Sequence, residues 1–232
     1  IVLADLDAAN LDVVARRLAA DGARVLGVPT DVTKPESVEA LAEATLSRFG
    51  AAHVVCNNAG VATFGPIATS TAKDWEFTMN VNFWGVVHGT KAFLPHLIAS
   101  GDGHVVNLSS LFGLISVPGQ SAYNATKYAV RGMSEALRQE MIIAGHPVGV
   151  TVVHPGGIKT AIARNARAAE GIDQVEAAAY FDEKLATMEP SRAAEIIVKG
   201  ILGNKARVLV GLDAHALHHF ARLSGSRYQD VL

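Results

Sequence analysis

The chain has 232 residues, with 20 Lys and Arg against 22 Asp and Glu and a formal net charge of -2. Half of its residues are hydrophobic and 18% are charged, which excludes a disordered chain. The near-neutral balance supplies no general pull toward nucleic acid or an anionic membrane. The single cysteine, Cys56, excludes an internal disulfide framework and a multi-cysteine zinc site. In the run Val54-Val55-Cys56 it reads as a small buried hydrophobe.

In chain order, the run Ile1-Val2-Leu3 predicts a first strand. A helix follows over Ala8 to Ala20, with Leu11, Val14, Ala15 and Leu18 on one face and Asp7 as its expected cap. Val25 to Val28 predicts the next strand. Thr33-Lys34-Pro35-Glu36 opens a helix that runs to Phe49 and stops at Gly50, with Thr33 expected at the N-cap and Pro35 in the first turn. His53 to Cys56 predicts a strand, Lys73 to Ile98 one long helix, and Val105 to Leu108 a strand. Ala122 to Ala144 predicts a second long helix, followed by strands over Gly149 to Val153 and Val208 to Val210. The strand runs are almost continuously apolar, as expected of strands buried on both faces of a parallel sheet. Alternating strands and helices predict an α/β fold: a three-layer α/β/α, doubly wound parallel sheet. One domain over residues 1-232 is the expectation, with an Ala-rich insertion at about 161-189.

No secretory pattern opens the chain, since Asp5 and Asp7 follow Leu3 directly, so a cytoplasmic location is expected. The longest stretch without Asp, Glu, Lys or Arg, Gly103 to Thr126, contains Pro118, Asn107 and Asn124, so no membrane span is expected.

The chemistry concentrates at the carboxyl ends of the predicted strands. Tyr123-Asn124-Ala125-Thr126-Lys127 sets a phenol and an ammonium at i and i+4, one turn apart on one helix face. By itself that pair could equally be an exposed polar couple. Its context is Ser110, just past the strand Val105 to Leu108, together with Asn57-Asn58-Ala59-Gly60, Asp31-Val32, and Pro155-Gly156-Gly157-Ile158-Lys159-Thr160, each closing a strand. In an open α/β sheet this edge forms the ligand crevice.

These elements, with Asp5 and with Asn82 in Asn80-Val81-Asn82-Phe83-Trp84-Gly85, follow one another in the order and spacing of a known family. Over its whole length the sequence resembles the short-chain dehydrogenase/reductase family, which implies a Rossmann-like fold. The resemblance implies a catalytic set of Asn82, Ser110, Tyr123 and Lys127. Tyr123 would exchange a proton with an alcohol or ketone during hydride transfer. Ser110 would hydrogen-bond the reacting oxygen. Asn82 would hold a water that relays protons from Lys127, although an Asn satisfied by backbone inside a helix is the competing reading. A free phenol titrates at about 10. An ammonium at about 4 Å is worth roughly 4 kcal/mol at an effective dielectric near 20, so Lys127 is expected to supply most of the phenol's acidification.

The resemblance further implies cofactor contacts. Lys127, next to Tyr123, would hold the nicotinamide ribose. Pro155, Gly156, Ile158 and Thr160 would hold the nicotinamide end, Asn58, Ala59 and Gly60 would let backbone approach, and Asp31 and Val32 would meet the adenine. Asp5 would accept from the adenosine ribose hydroxyls and repel a 2′-phosphate, which favours NAD, with NADP as the alternative. Leu111, Phe112 and Gln120, with the segment 161-189 as a lid, would face a small secondary alcohol or ketone with an apolar body. A homodimer or homotetramer is implied. No metal site is expected, and His154 reads as structural.

One family element is missing. The glycine-rich phosphate loop would precede Asp5, which has only four residues before it, so the chain is expected to be an amino-terminally truncated piece that folds and binds cofactor poorly by itself. The competing functional readings are an NADPH-dependent carbonyl reductase and a non-catalytic fragment with weak cofactor binding.

Overall fold

In the computed structural model, which describes residues 1-231, parallel strands β1 (Val2–Asp5) and β2 (Leu26–Pro29) are joined through helix α1 (Ala8–Ala20). As expected, Asp7 caps α1, its carboxylate accepting from the Ala9 and Asn10 N–H groups. Helix α2 (Pro35–Phe49) is different: Lys34, not Thr33, occupies the cap position and makes no side-chain cap bond. Thr33 instead turns its hydroxyl and its N–H to Asp31 Oδ1, both donating. Gly50 ends α2 in the left-handed region at φ 80°.

Strand β3 (Val54–Asn57) leads to a short strand β4 (Thr63–Phe64). The helix expected over Lys73 to Ile98 consists of α3 (Ala72–Met79), a π turn at Asn80–Trp84, and α4 (Gly85–Ser100). Thr71 and Asp74 form a capping box that starts α3. The π turn is marked by the Gly85 N–H reaching back to the Asn80 carbonyl, and it contains Asn82.

Strand β5 (Gly103–Leu108) is followed by a 3-10 turn (Leu111–Gly113) and the long helix α5 (Ser121–Ile143). Then come β6 (Val148–Pro155), a short strand β7 (Arg167–Ala168), helix α6 (Gln174–Tyr180) and a second π turn (Phe181–Leu185). Helix α7 (Pro190–Leu202), strand β8 (Arg207–Val210), helix α8 (Leu212–Ser224) and a terminal 3-10 turn (Gly225–Asp230) complete the order.

The architecture is Rossmann-like, a parallel sheet flanked by helices. The main sheet has the order β3-β5-β6-β8, and β1-β2 forms a separate pair. One face of the main sheet packs Val55, Val105, Val148 and Val150 against Ala42 of α2, Phe93 and Leu97 of α4, and Leu137 and Met141 of α5. The other face packs Val106, Leu108, Val153, Val208 and Val210 against Ala193 of α7. β5 is buried along its whole length, as its sequence predicts.

β3 is not. Val54 and Cys56 are exposed, which corrects the reading of Cys56 as buried. The reason is register. Cys56 pairs with Val106 and shares its face, and α7 packs chiefly on β6 and β8. Among the described residues, nothing pairs the free edges of β1 and β3.

Segment 161-189 is tied down at two places. Arg167–Ala168 pairs with Thr63–Phe64, and Ile158 bridges Met188. No described helix is long and apolar enough to cross a membrane.

Candidate active site

Ser110 lies two residues beyond β5, where the chain turns from extended backbone (φ -165°, ψ 167°) into the 3-10 turn. Its hydroxyl accepts the Phe112 N–H at 3.1 Å. α5 brings Tyr123 and Lys127 to the same edge, one turn apart and both buried. α5 is locked onto β5 and the residue after it by three bonds, one of them from Asn107 Nδ2 to Ser134 Oγ at 3.0 Å. Ser109 Oγ donates to the Lys127 carbonyl at 2.8 Å, and Lys127 Nζ donates to the Leu108 carbonyl at 2.9 Å. This approach requires glycine at 113, since a Cβ there would collide with Ser109 Oγ and the Lys127 carbonyl.

The Tyr123 ring sits among apolar groups. Ala62, Phe64, Phe112, Ala166 and Ile162 surround it, and the Phe112 ring meets it edge-on at a 6.2 Å centroid separation. Ala166 and Ile162 come from segment 161-189, which packs into the same apolar cluster. The Lys127 ammonium lies 5.5 Å from the ring centroid.

Burial controls both charges. It pushes the Tyr123 phenol above its ordinary value, with the Ser110 side chain pulling the other way through a hydrogen bond. It pushes Lys127 down to about 8. The expectation that Lys127 acidifies the phenol is thus not met in the protein by itself. Desolvation is the largest cause.

Asn82 is fully buried and both of its amide hydrogens are used. Oδ1 accepts from Val61 N–H at 2.8 Å, and Nδ2 donates to the Val61 carbonyl at 2.9 Å and to Thr126 Oγ1 at 3.2 Å. The side chain anchors the loop after Gly60 to α5.

The expected cofactor residues lie along the carboxyl edge. Asp5 ends β1, exposed, with Oδ1 accepting the Asp7 N–H at 2.9 Å. Asp31 spends Oδ1 on Thr33 and sits 3.8 Å from Lys34 through Oδ2, and these contacts, led by the Thr33 hydroxyl, lower its pKa. The Val32 carbonyl is held by His88 Nδ1 at 2.9 Å. Asn58, Ala59 and Gly60 are exposed, and a Cβ at Gly60 would lie 3.6 Å from Lys127 Nζ. Pro155 closes β6, Gly156 follows it, Ile158 packs against the β6-β8 side of the sheet, and Thr160 is exposed.

Lys127 carries three protons but has one protein acceptor while only 3% exposed. A buried ammonium short of acceptors beside an exposed small-residue loop fits the hydroxyls of a nicotinamide ribose.

Of the expected substrate residues, Phe112 touches Tyr123, and Gln120 precedes α5 with its backbone bridged to Gly65. Leu111 instead points inward, packed with Ile115 and Tyr228. The alternation of an apolar turn cannot show this, because it depends on where the carboxyl-terminal segment docks.

Two further residues support the site without a sequence signal. Asp213, in the first turn of α8, accepts the Gly157 N–H at 2.7 Å, and a Cβ at Gly156 would overlap its carboxylate. His154, fully buried at the end of β6, places Nδ1 2.8 Å from the Ser110 carbonyl, while its Nε2 has no partner. Burial holds its pKa down at about 4, so the ring is neutral. An unpaired buried acceptor costs about 1–3 kcal/mol.

The comparisons agree with this geometry. The short chain dehydrogenase family model matches residues 1–171. An oxidoreductase named SadH from Mycobacterium tuberculosis is 56% identical over 232 residues, covering 100% of this chain and 84% of that protein. The structure of a short chain dehydrogenase/reductase from Burkholderia phymatum in complex with NAD superposes with TM-score 0.90 at 31% identity, over 98% of this chain and 85% of that one. An alcohol dehydrogenase from Thermococcus sibiricus complexed with 5-hydroxy-NADP gives TM-score 0.74 at 25% identity, over 90% and 83% respectively. The chain belongs to the short-chain dehydrogenase/reductase family of nicotinamide-dependent oxidoreductases.

Proposed function

We propose that the chain interconverts a secondary alcohol and its ketone, with Tyr123 as the general acid/base. The observation that carries this is a buried phenol beside Ser110 and Lys127, ringed by Ala62, Phe64, Phe112, Ile162 and Ala166. That lining suits a substrate with an apolar body. The nicotinamide, when bound, supplies or takes up the hydride.

The chain's own groups then have these roles. Ser110 hydrogen-bonds the substrate oxygen and steadies its developing charge. Tyr123, kept protonated by its burial, donates to the carbonyl oxygen in reduction. Oxidation asks the phenol to accept a proton, which needs positive charge beside it; Lys127 contributes when protonated. Lys127 also binds the ribose hydroxyls through the protons it does not give to Leu108. Asn82 holds the Asn58 to Val61 loop against α5. Gly156, Ile158 and Thr160 hold the nicotinamide end, and Asp31 with Val32 the adenine.

NAD is the proposed cofactor, because Asp5 offers a carboxylate to ribose hydroxyls and meets a 2′-phosphate with like charge. The second reading, an NADPH-dependent carbonyl reductase, draws on the 5-hydroxy-NADP in the Thermococcus sibiricus neighbour. Further parts of the proposal are a single catalytic unit with 161-189 as its lid, a homodimer or homotetramer, and a cytoplasmic location. Initial rates with NAD, NADH, NADP and NADPH across a panel of secondary alcohols and ketones test the reading. Turnover of such a pair with NAD or NADH supports it; a strong NADPH preference gives the second reading, and no turnover of any pair by a chain that binds the dinucleotide in a fluorescence titration overturns both.

A further inference from the structure

The ladder between β5 and β6 runs out at Ser109, whose N–H donates to the Val153 carbonyl at 2.9 Å. One residue further on, no backbone N–H of β6 reaches Ser110. The His154 imidazole is there instead, with Nδ1 2.8 Å from the Ser110 carbonyl. A carbonyl can only accept, so Nδ1 carries the hydrogen and Nε2 is a bare acceptor. The same carbonyl takes the Gly113 N–H at 2.9 Å and is thus held from both sides.

This arrangement is not what packing alone would select. His154 is fully buried, and Nε2 has no partner. A leucine or methionine would fill the space without burying an unpaired acceptor. The imidazole is explained if the Nδ1–H is what matters. We propose that His154 is a positioning residue, which fixes the Ser110 backbone so that the Ser110 hydroxyl meets the Tyr123 phenol. The proposal rests on the acid/base reading of Tyr123 given above.

The charged groups that act on His154 are Arg207 of β8 and Arg131 and Glu135 of α5, of which Glu135 pairs with both arginines. Burial outweighs them and keeps the ring neutral, so a fixed Nδ1–H persists through the working pH range. Tyr123 is faced by Ser110 from the β5 end and by Lys127 from its own helix. Loosening Ser110 therefore weakens the one group that draws the phenol's pKa down.

The test uses the full chain in three forms: wild type, His154→Asn, which keeps an N–H donor where Nδ1 stands, and His154→Leu, which removes it. In ¹⁵N-histidine spectra of the wild type, the His154 resonances, identified by their loss in His154→Asn, are expected to show the neutral Nδ1–H tautomer down to about pH 5.5. With ¹³Cζ-tyrosine label, and Tyr123 identified by Tyr123→Phe, the phenol titration is expected to move upward in His154→Leu and to stay in place in His154→Asn. With a substrate found in the panel, kcat falls about tenfold in His154→Leu at unchanged KM and is largely restored in His154→Asn.

An Nε2–H tautomer, equal titrations in wild type and His154→Leu, or a His154→Asn variant whose phenol titrates differently from wild type would overturn the proposal. If His154→Leu does not fold, the tautomer and the His154→Asn titration still decide. Neither needs turnover, so a chain without activity on the panel would sink the functional reading and leave this one testable.

Discussion

Lys127 is the most expensive group in the site to keep charged. Its ordinary value of 10.5 falls to about 8 in the fold because burial opposes the ammonium. At 1.36 kcal/mol for each pH unit, that gap corresponds to about 3 kcal/mol. Below about pH 8 the folded and unfolded chains both hold the proton, and the full cost is present. Between 8 and 10.5 the folded chain releases its proton while the unfolded chain keeps it, so stability rises with pH. Lys127→Met removes the ammonium and keeps most of the apolar stem. Urea unfolding of both proteins without cofactor, at steps from pH 7 to 10.5, isolates this group, because other titrations cancel in the difference. Lys127→Met is expected to be the more stable near pH 7, by up to about 3 kcal/mol less what the lost Leu108 bond contributes. That advantage should shrink steadily between pH 8 and 10.5. A difference that stays constant across this range, or widens, would mean that Lys127 is not buried as a strained cation.

Three further substitutions test the surroundings of the site. Asp5→Ser should raise the NADPH-to-NADH ratio of kcat/KM by about tenfold, since it removes the like charge from the 2′-phosphate position; an unchanged ratio would show that Asp5 does not face the ribose. Asp213→Ala leaves the Gly157 N–H without its acceptor, and NADH should bind roughly tenfold more weakly in a fluorescence titration, with Asp213→Asn in between. Gly157→Ala drives a Cβ onto the Leu185 carbonyl; since backbone must shift, the loss in stability should exceed about 1 kcal/mol and segment 161-189 should become more open to limited proteolysis.

Periodicity in the sequence places Ser110, Tyr123 and Lys127 at one sheet edge, and the family resemblance is what points to their roles. A Tyr and a Lys four apart share a helix face, and Ser110 just past an apolar run must sit at the carboxyl end of a strand. Other features depend on what packs from elsewhere in the chain. The π turn around Asn82 follows from an i to i+5 bond that no propensity marks. Thr33 is a good N-cap by type, yet the chain sets Lys34 at the cap position and turns the Thr33 hydroxyl to Asp31. Cys56 lies in a strand-like run, but its exposure turns on which helix reaches β3. Tyr123 and Lys127 have the right spacing for mutual attraction, and the depth of their burial, invisible in spacing, governs both groups. Asp213 lies 56 residues beyond the Gly157 it supports, so only the docking of α8 brings them together.

Tyr123→Phe in the NAD-linked oxidation and reduction of an alcohol and ketone pair tests the central claim most directly. Removing one hydroxyl should lower kcat at least about a hundredfold in both directions, with NADH affinity and the thermal midpoint nearly those of the wild type. A Phe variant that turns over at the wild-type rate would place the proton transfer on some other group.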